Sequence, residues 1–77
     1  MLLEIISPDK VIYTGEVQSV RLPGKDGYFE ILKDHAPLIS LLQAGEIKVV
    51  DQNGSTETFN TNKGFVEVVD NTITVLV

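Results

Sequence analysis

Glu46-Ile47-Lys48-Val49-Val50-Asp51, then Gln52-Asn53-Gly54, then Ser55-Thr56-Glu57-Thr58-Phe59-Asn60 is the stretch that decides the fold. Two runs of strand length, with branched and aromatic side chains, flank an Asn-Gly pair. That arrangement is the strongest short-range sign of a β-hairpin. A type I′ turn needs positive φ at both central residues, and Asn53-Gly54 is the pair expected to supply it. Outward from this hairpin the pattern repeats. Turn signals fall at Ser7-Pro8-Asp9, Thr14-Gly15, Pro23-Gly24, Lys25-Asp26-Gly27, Asn62-Lys63-Gly64 and Asp70-Asn71. Further strands are expected over 2–7, 10–14, 16–22, 28–32, 64–69 and 72–77.

Composition agrees. Val, Ile and Thr number 23, whereas Ala and Met together number three. Branched side chains are stiff at χ1 and suit a pleated surface; a helical chain would lean on Ala. Only Leu38, Leu41 and Leu42, followed by Gly45, fit a helical spacing, which predicts at most two turns of helix there. The fold class is therefore all-β, with many short strands at regular spacing, as in a sandwich or barrel.

The alternation of the strands carries a second message. Ile73, Val75 and Val77 share one face with Thr72 and Thr74 opposite, as a half-buried strand should. Elsewhere both faces are apolar: Leu2 and Ile6 against Leu3 and Ile5, Val49 beside Val50, Phe65 and Val69 around Val66 and Val68. Two explanations are open. Part of one outer face is covered by another molecule, or bulges and barrel closure scramble the inside–outside count.

Length and charge bound the function. At 77 residues the chain makes one domain, too small for a core plus a deep cleft. Six basic against eleven acidic residues give a net charge of −5, which argues against nucleic-acid backbones and against a polybasic membrane contact. Cysteine is absent, so disulfides, thiolate metal sites and cysteine nucleophiles are excluded. The start, Met1-Leu2-Leu3-Glu4, lacks the basic and apolar layout of a secretory signal, and the expectation is a soluble intracellular domain.

Chemistry-bearing patterns are sparse. His35 is the sole histidine and has no carboxylate pair at ligand spacing. Ser40, His35 and Asp34 assemble a triad only on paper, without a nucleophile-elbow sequence. Gly24-Lys25-Asp26-Gly27 has the spelling of a backbone-clamping GxxG loop, but it lies between strands of an acidic chain and reads as a connecting turn. Lys10 follows a turn, and small acidic β domains carry lipoyl or biotinyl groups on one lysine. Their lysine occupies a hairpin tip, whereas Lys10 opens a strand. The alternative function kept open is such a stand-alone binding or lysine-carrier module. Asp34-His35-Ala36-Pro37-Leu38 is the least generic segment, because Pro37 fixes its own φ and holds Ala36 extended.

The order of the pieces resembles a known family. Leu3-Glu4-Ile5-Ile6-Ser7-Pro8, Tyr13-Thr14-Gly15-Glu16-Val17 and Val20-Arg21-Leu22-Pro23-Gly24-Lys25-Asp26-Gly27 come in its sequence. Ile31-Leu32, His35-Ala36-Pro37-Leu38, Gly45-Glu46-Ile47, Gly64-Phe65-Val66-Glu67-Val68 and Ile73-Thr74-Val75-Leu76 follow. Together they resemble the amino-terminal domain of the epsilon subunit of F-type ATP synthases.

The resemblance implies a flattened antiparallel β-sandwich of two sheets over residues 1–77, with no C-terminal helical domain. It implies a non-catalytic rotor subunit of the central stalk, without cofactor, metal or small-molecule substrate. Such a subunit links the gamma subunit to the membrane c-ring and helps couple proton or sodium flow to ATP synthesis. Its place would be the cytoplasmic side of the bacterial inner membrane, held there peripherally through the complex. On this resemblance the gamma contact falls on Ser7, His35, Leu38, Ser40 and Leu42, and the c-ring contact on Asp26, Gly27, Tyr28 and Phe29. The sequence departs from the family at three points. Tyr28 stands where a small polar or acidic residue is usual, Lys33-Asp34 replaces a Pro-Gly or Pro-Asn pair, and the helical hairpin of many members is not in this sequence.

Overall fold

Strand β2 organises the molecule. In a computed structural model that describes all residues 1–77, β2 runs unbroken from Lys10 to Gly24. The turn expected at Thr14-Gly15 is absent, because Gly15 is paired with Leu3 inside the ladder. The first half of β2 pairs with β1 (Leu2–Ser7). Its second half is flanked by β3 (Gly27–Leu32) and β5 (Gly45–Asp51), both of which pair with Ser19 to Arg21. A register shift between Val17 and Ser19 marks the place where β2 passes from one layer to the other. Bulges do this work elsewhere, since one extra residue bends a strand and raises its twist.

The first layer is completed by β8 (Thr72–Leu76), β7 (Gly64–Val69) and β4 (Leu38–Leu42), in the order β1-β8-β7-β4. The second layer ends at β6 (Thr56–Thr61), beside β5. All pairs are antiparallel except β1 with β8, which is parallel. The layers meet again where Leu42 of β4 pairs with Gly24 at the tip of β2. The all-β sandwich expected from the sequence is thus what the chain forms.

Two further local expectations are corrected. Leu38, Leu41 and Leu42 form no helix; they lie in β4, paired with β7 over Leu38↔Val68 to Leu42↔Gly64. A five-residue apolar segment cannot nucleate a helix alone, and pairing with a strand 26 residues away satisfies its backbone instead. The β5–β6 hairpin exists, but not with the expected type I′ turn. Only Gly54 has positive φ, at 87°. The Gly54 N–H donates to the Asp51 carbonyl at 3.0 Å, and the Asp51 carboxylate accepts from the Asn53 and Ser55 N–H groups, both at 2.9 Å. This is a hairpin turn with a glycine in the left-handed region after it. The pair with positive φ at both positions is Asp70-Asn71, at 48° and 59°, between β7 and β8.

The core is the set of inward residues of both layers. Leu3 and Ile5 of β1, Val66 and Val68 of β7, and Ile73 and Val75 of β8 face Val20 and Leu22 of β2, Ile31 of β3, and Ile47 and Val49 of β5. Tyr13 and Phe59 close one side, ring edge to face at 5.7 Å. Burial raises the Tyr13 hydroxyl above its ordinary 10.0, and the carboxylates of Asp51 and Glu57 add to the shift. The native state therefore holds this proton more tightly than the unfolded chain does. The contribution is fully present below pH 10.0 and is lost as pH rises through the higher native value. Urea midpoints measured from about pH 8 to pH 11 should fall at the alkaline end. Tyr13→Phe should flatten that fall, and an unchanged alkaline slope in the variant would remove Tyr13 as its cause.

Candidate functional site

The two outer faces of the sandwich differ in chemistry. On the second layer, Arg21, Glu30, Lys48, Glu46, Thr58 and Asn60 point outward, an ordinary solvated surface. On the first layer the ladders align three rows across the strands. The middle row is Ile39, Glu67, Thr74, Glu4 and Thr14. The row toward the Leu42 end is Leu41, Phe65, Leu76, Ile6 and Val11, apolar on all five strands. The third row runs Val69, Thr72, Leu2 and Glu16. Ile39 is 72% exposed and Leu41 61%.

An apolar row crossing five strands spans about 19 Å at about 4.8 Å per strand. Scattered exposed leucines need no explanation, but a contiguous apolar row bordered by polar ones marks an interaction surface. Of the two explanations left open by the two-sided strands, the bulges are present, at Ile5/Ile6 and Val17/Ser19, and the first layer also carries an exposed apolar row.

The partner-facing residues expected from the sequence are distributed around this face. Ser7 ends β1, and its hydroxyl donates to the Lys10 carbonyl at 3.3 Å. His35 lies in the exposed connection before β4, where its Nδ1 donates to the Ala36 carbonyl at 2.7 Å. That connection is tied down by Asp34, in the left-handed region at φ 62°, whose N–H donates to Asn71 Oδ1 at 3.0 Å. Ser7 lies level with Leu42 and His35 lies beyond the Leu38 end of β4, so the two stand toward opposite ends of the face. Leu38, Ser40 and Leu42 alternate with Ile39 and Leu41 and so turn inward, Leu42 being buried and the other two half-buried. Ile39, Leu41 and Phe65 are exposed on this face and do not figure among the contacts expected from the sequence. Their signal was the apolar character of both sides of β4 and β7.

The second expected contact is the β2–β3 hairpin. Asp26 and Gly27 are exposed at its tip. Tyr28 folds back: its hydroxyl accepts from the Glu46 N–H at 2.9 Å, and the Arg21 guanidinium lies 4.3 Å above the ring. Phe29 is half-buried and packs against the core. The tip joins the apolar row, because the Lys25 N–H donates to the Leu41 carbonyl at 3.1 Å.

No catalytic arrangement is assembled from the candidates. The Ser40 hydroxyl donates to the Leu41 carbonyl at 3.4 Å and His35 is engaged with its own loop, so the paper triad with Asp34 is not joined. No three His, Asp or Glu side chains converge. Lys10 is the first paired residue of β2, opposite Ser7, not the tip of its turn.

The family model described as the ATP synthase delta/epsilon chain, beta-sandwich domain, matches residues 1–77. The chain belongs to that family. The ATP synthase epsilon chain of Sulfurimonas denitrificans is 47% identical over 75 residues, which are 97% of this chain and 58% of that relative. The domain thus spans little more than half the length of that curated relative. Among solved structures, a chain of the Euglena gracilis mitochondrial ATP synthase (OSCP/F1/c-ring) superposes with a TM-score of 0.91 at 18% identity, over 100% of this chain and 49% of its own length. A chain of the Tetrahymena thermophila mitochondrial ATP synthase central stalk and c-ring superposes with a TM-score of 0.81 at 19% identity, covering 100% and 62%. At these identities the superpositions establish the shared fold. The delta/epsilon sandwich of this chain therefore has its apolar row, its Ser7 and His35 ends and its β2–β3 tip on a family scaffold.

Proposed function

We propose that this sandwich is a non-catalytic rotor element of an F-type ATP synthase. It joins the gamma subunit to the membrane c-ring on the cytoplasmic side of a bacterial inner membrane, as a peripheral component. The observation that carries the reading is the contrast between the two outer faces, one charged and one crossed by the row from Leu41 to Val11. An obligate subunit contact is apolar at its centre and polar at its rim. Here the row would be the centre, with Ile39 beside it and Ser7 and His35 at the rim. Leu38, Ser40 and Leu42 would support β4 from beneath, presenting Ile39 and Leu41 to gamma. Asp26 and Gly27 would meet the ring, with Tyr28 and Phe29 holding the hairpin in place.

The mechanical role follows from the ladder. Of 47 backbone hydrogen bonds, 39 lie within the strands, and β2 is common to both layers. A body cross-linked in this way shears little, which suits a part that transmits torque. The similarity to structures of a central stalk with its c-ring supports the same role.

The test is affinity capture of the tagged protein from its native host in mild detergent, with mass spectrometry of what is retained. Gamma, c, alpha and beta subunits should be recovered together. A folded, monomeric domain that recovers none of them would overturn the rotor reading.

A further inference from the structure

At the end of the apolar row lies a groove of about 590 Å³, floored by Leu41, Leu42 and Phe65 and rimmed by Lys25 and Lys63. Gln43 and Asn62 complete its polar edge, and no carboxylate lines it. This is unusual for a chain with eleven acidic residues against six basic ones. Two of the six cations therefore border one apolar floor. On the other side of the row stand Glu67 and Glu4. The face is thus polarised across its apolar line: positive at the Lys25/Lys63 end, negative along the middle row.

We propose that this groove seats an acidic amphipathic segment of the protein partner that covers the face, with a partner carboxylate held between Lys25 and Lys63. The proposal rests on the reading that the outer face of the first layer is an interface. Charge complementarity then fixes how the segment lies. Its apolar side chains fill the row, its carboxylates point to the lysines, and its opposite flank is basic toward Glu4 and Glu67. The ~19 Å row matches about 13 residues of helix at 1.5 Å per residue. An anionic lipid surface is the poorer occupant, because the net charge of −5 and the glutamates of the adjacent row would repel it. The groove would add register and specificity to the apolar contact, as buried-edge charges do at interfaces.

The test measures binding of the 77-residue chain to the gamma subunit from the same genome and to two designed helical peptides. Both peptides carry one leucine stripe; one has glutamates on the flank that meets the lysines and lysines on the other, and the second has the flanks exchanged. The double variant Lys25→Glu/Lys63→Glu should lose roughly tenfold in affinity for gamma and for the first peptide, and Lys25→Gln/Lys63→Gln less. The wild type alone should weaken steeply as salt is raised from about 0.05 to 0.5 M. Gamma bound equally by wild type and the glutamate variant would overturn the groove proposal and leave the interface reading intact. Lysine-dependent binding of the first peptide without any binding of gamma would sustain the groove and remove the interface partner. Lysine-dependent pelleting with phosphatidylglycerol vesicles, or lysine-dependent dimerisation in sedimentation, with no preference between the peptides, would overturn it in favour of lipid or of a second copy.

Discussion

Leu41→Asp and Phe65→Asp, made separately, are each expected to lower affinity for the gamma subunit by a hundredfold or more while the domain stays folded. Both side chains stand in the apolar row, paired across β4 and β7, and both are substantially exposed in the free chain. A carboxylate there is solvated before binding and costs the free domain little. After binding it would be desolvated beneath the partner's apolar side chains, where the neighbouring Lys25 and Lys63 are already engaged by the partner carboxylate. An unpaired buried charge costs about 3–5 kcal/mol, and each ~1.4 kcal/mol is tenfold in a dissociation constant. Roughly two to three and a half decades follow. The strand itself loses at most about 1 kcal/mol of β-propensity, so the urea midpoint should move only slightly. Thr58→Asp on the charged face of β6 is the control, with both affinity and midpoint expected to hold. Calorimetric titration against gamma would read the difference. Unchanged binding by the Leu41 variant would mean that the face is not where gamma docks.

Much of the strand layout was readable from local sequence, because turn residues at short intervals bound runs of branched side chains. All eight expected runs fall on observed strands, two of them as halves of β2. The errors have one physical origin. The helical spacing of Leu38, Leu41 and Leu42 points to a helix at β4, yet Ile39 is apolar too. A strand apolar on both sides carries no period to recognise, and β4 is two-sided because one side faces the core and the other the uncovered face. Its partner β7 lies far along the chain. The exchange of turn types has a similar cause. Asn53-Gly54 has the better type I′ spelling, but the Asp51 side chain captures two N–H groups and sets a longer turn. Asp70-Asn71 takes the left-handed pair instead.

The site was less legible than the fold. Ser7 and His35 could be placed by family likeness, but nothing local says that they stand at opposite ends of one face. That relation depends on the parallel β1–β8 pairing and on β4–β7, neither of which joins neighbouring strands. The same pairings line up Leu41, Phe65, Leu76 and Ile6. In the sequence these residues are only one half of several two-sided strands; the ladder makes them a surface.

The same ladder makes Gly64→Ala the most tightly blocked of the glycine-to-alanine changes. A Cβ at Gly64 would collide with the Leu76 carbonyl oxygen and lie 3.1 Å from its carbon and 3.3 Å from Val77 Cα. These are backbone atoms, so no rotamer change can relieve the contact. Replacing glycine by alanine usually stabilises by about 0.4–1 kcal/mol through the unfolded chain. Overpacking at a fixed backbone costs about 1–3 kcal/mol and should win. Relief requires β8 to move away from β7. That movement would strain the bond from the Val77 N–H to the Ile6 carbonyl, 3.0 Å in the native ladder, and separate Leu76 from Phe65. A domain of this size holds about 3–5 kcal/mol in all, so the variant should be partly unfolded at 37 °C and show a much lower urea midpoint. Because the same shift breaks the apolar row, the fraction that remains folded should also bind gamma more weakly. A variant with the wild-type midpoint would show that β7 and β8 tolerate spreading at this end. Loss of stability with full affinity in the folded fraction would show that the row does not depend on the Phe65–Leu76 pairing.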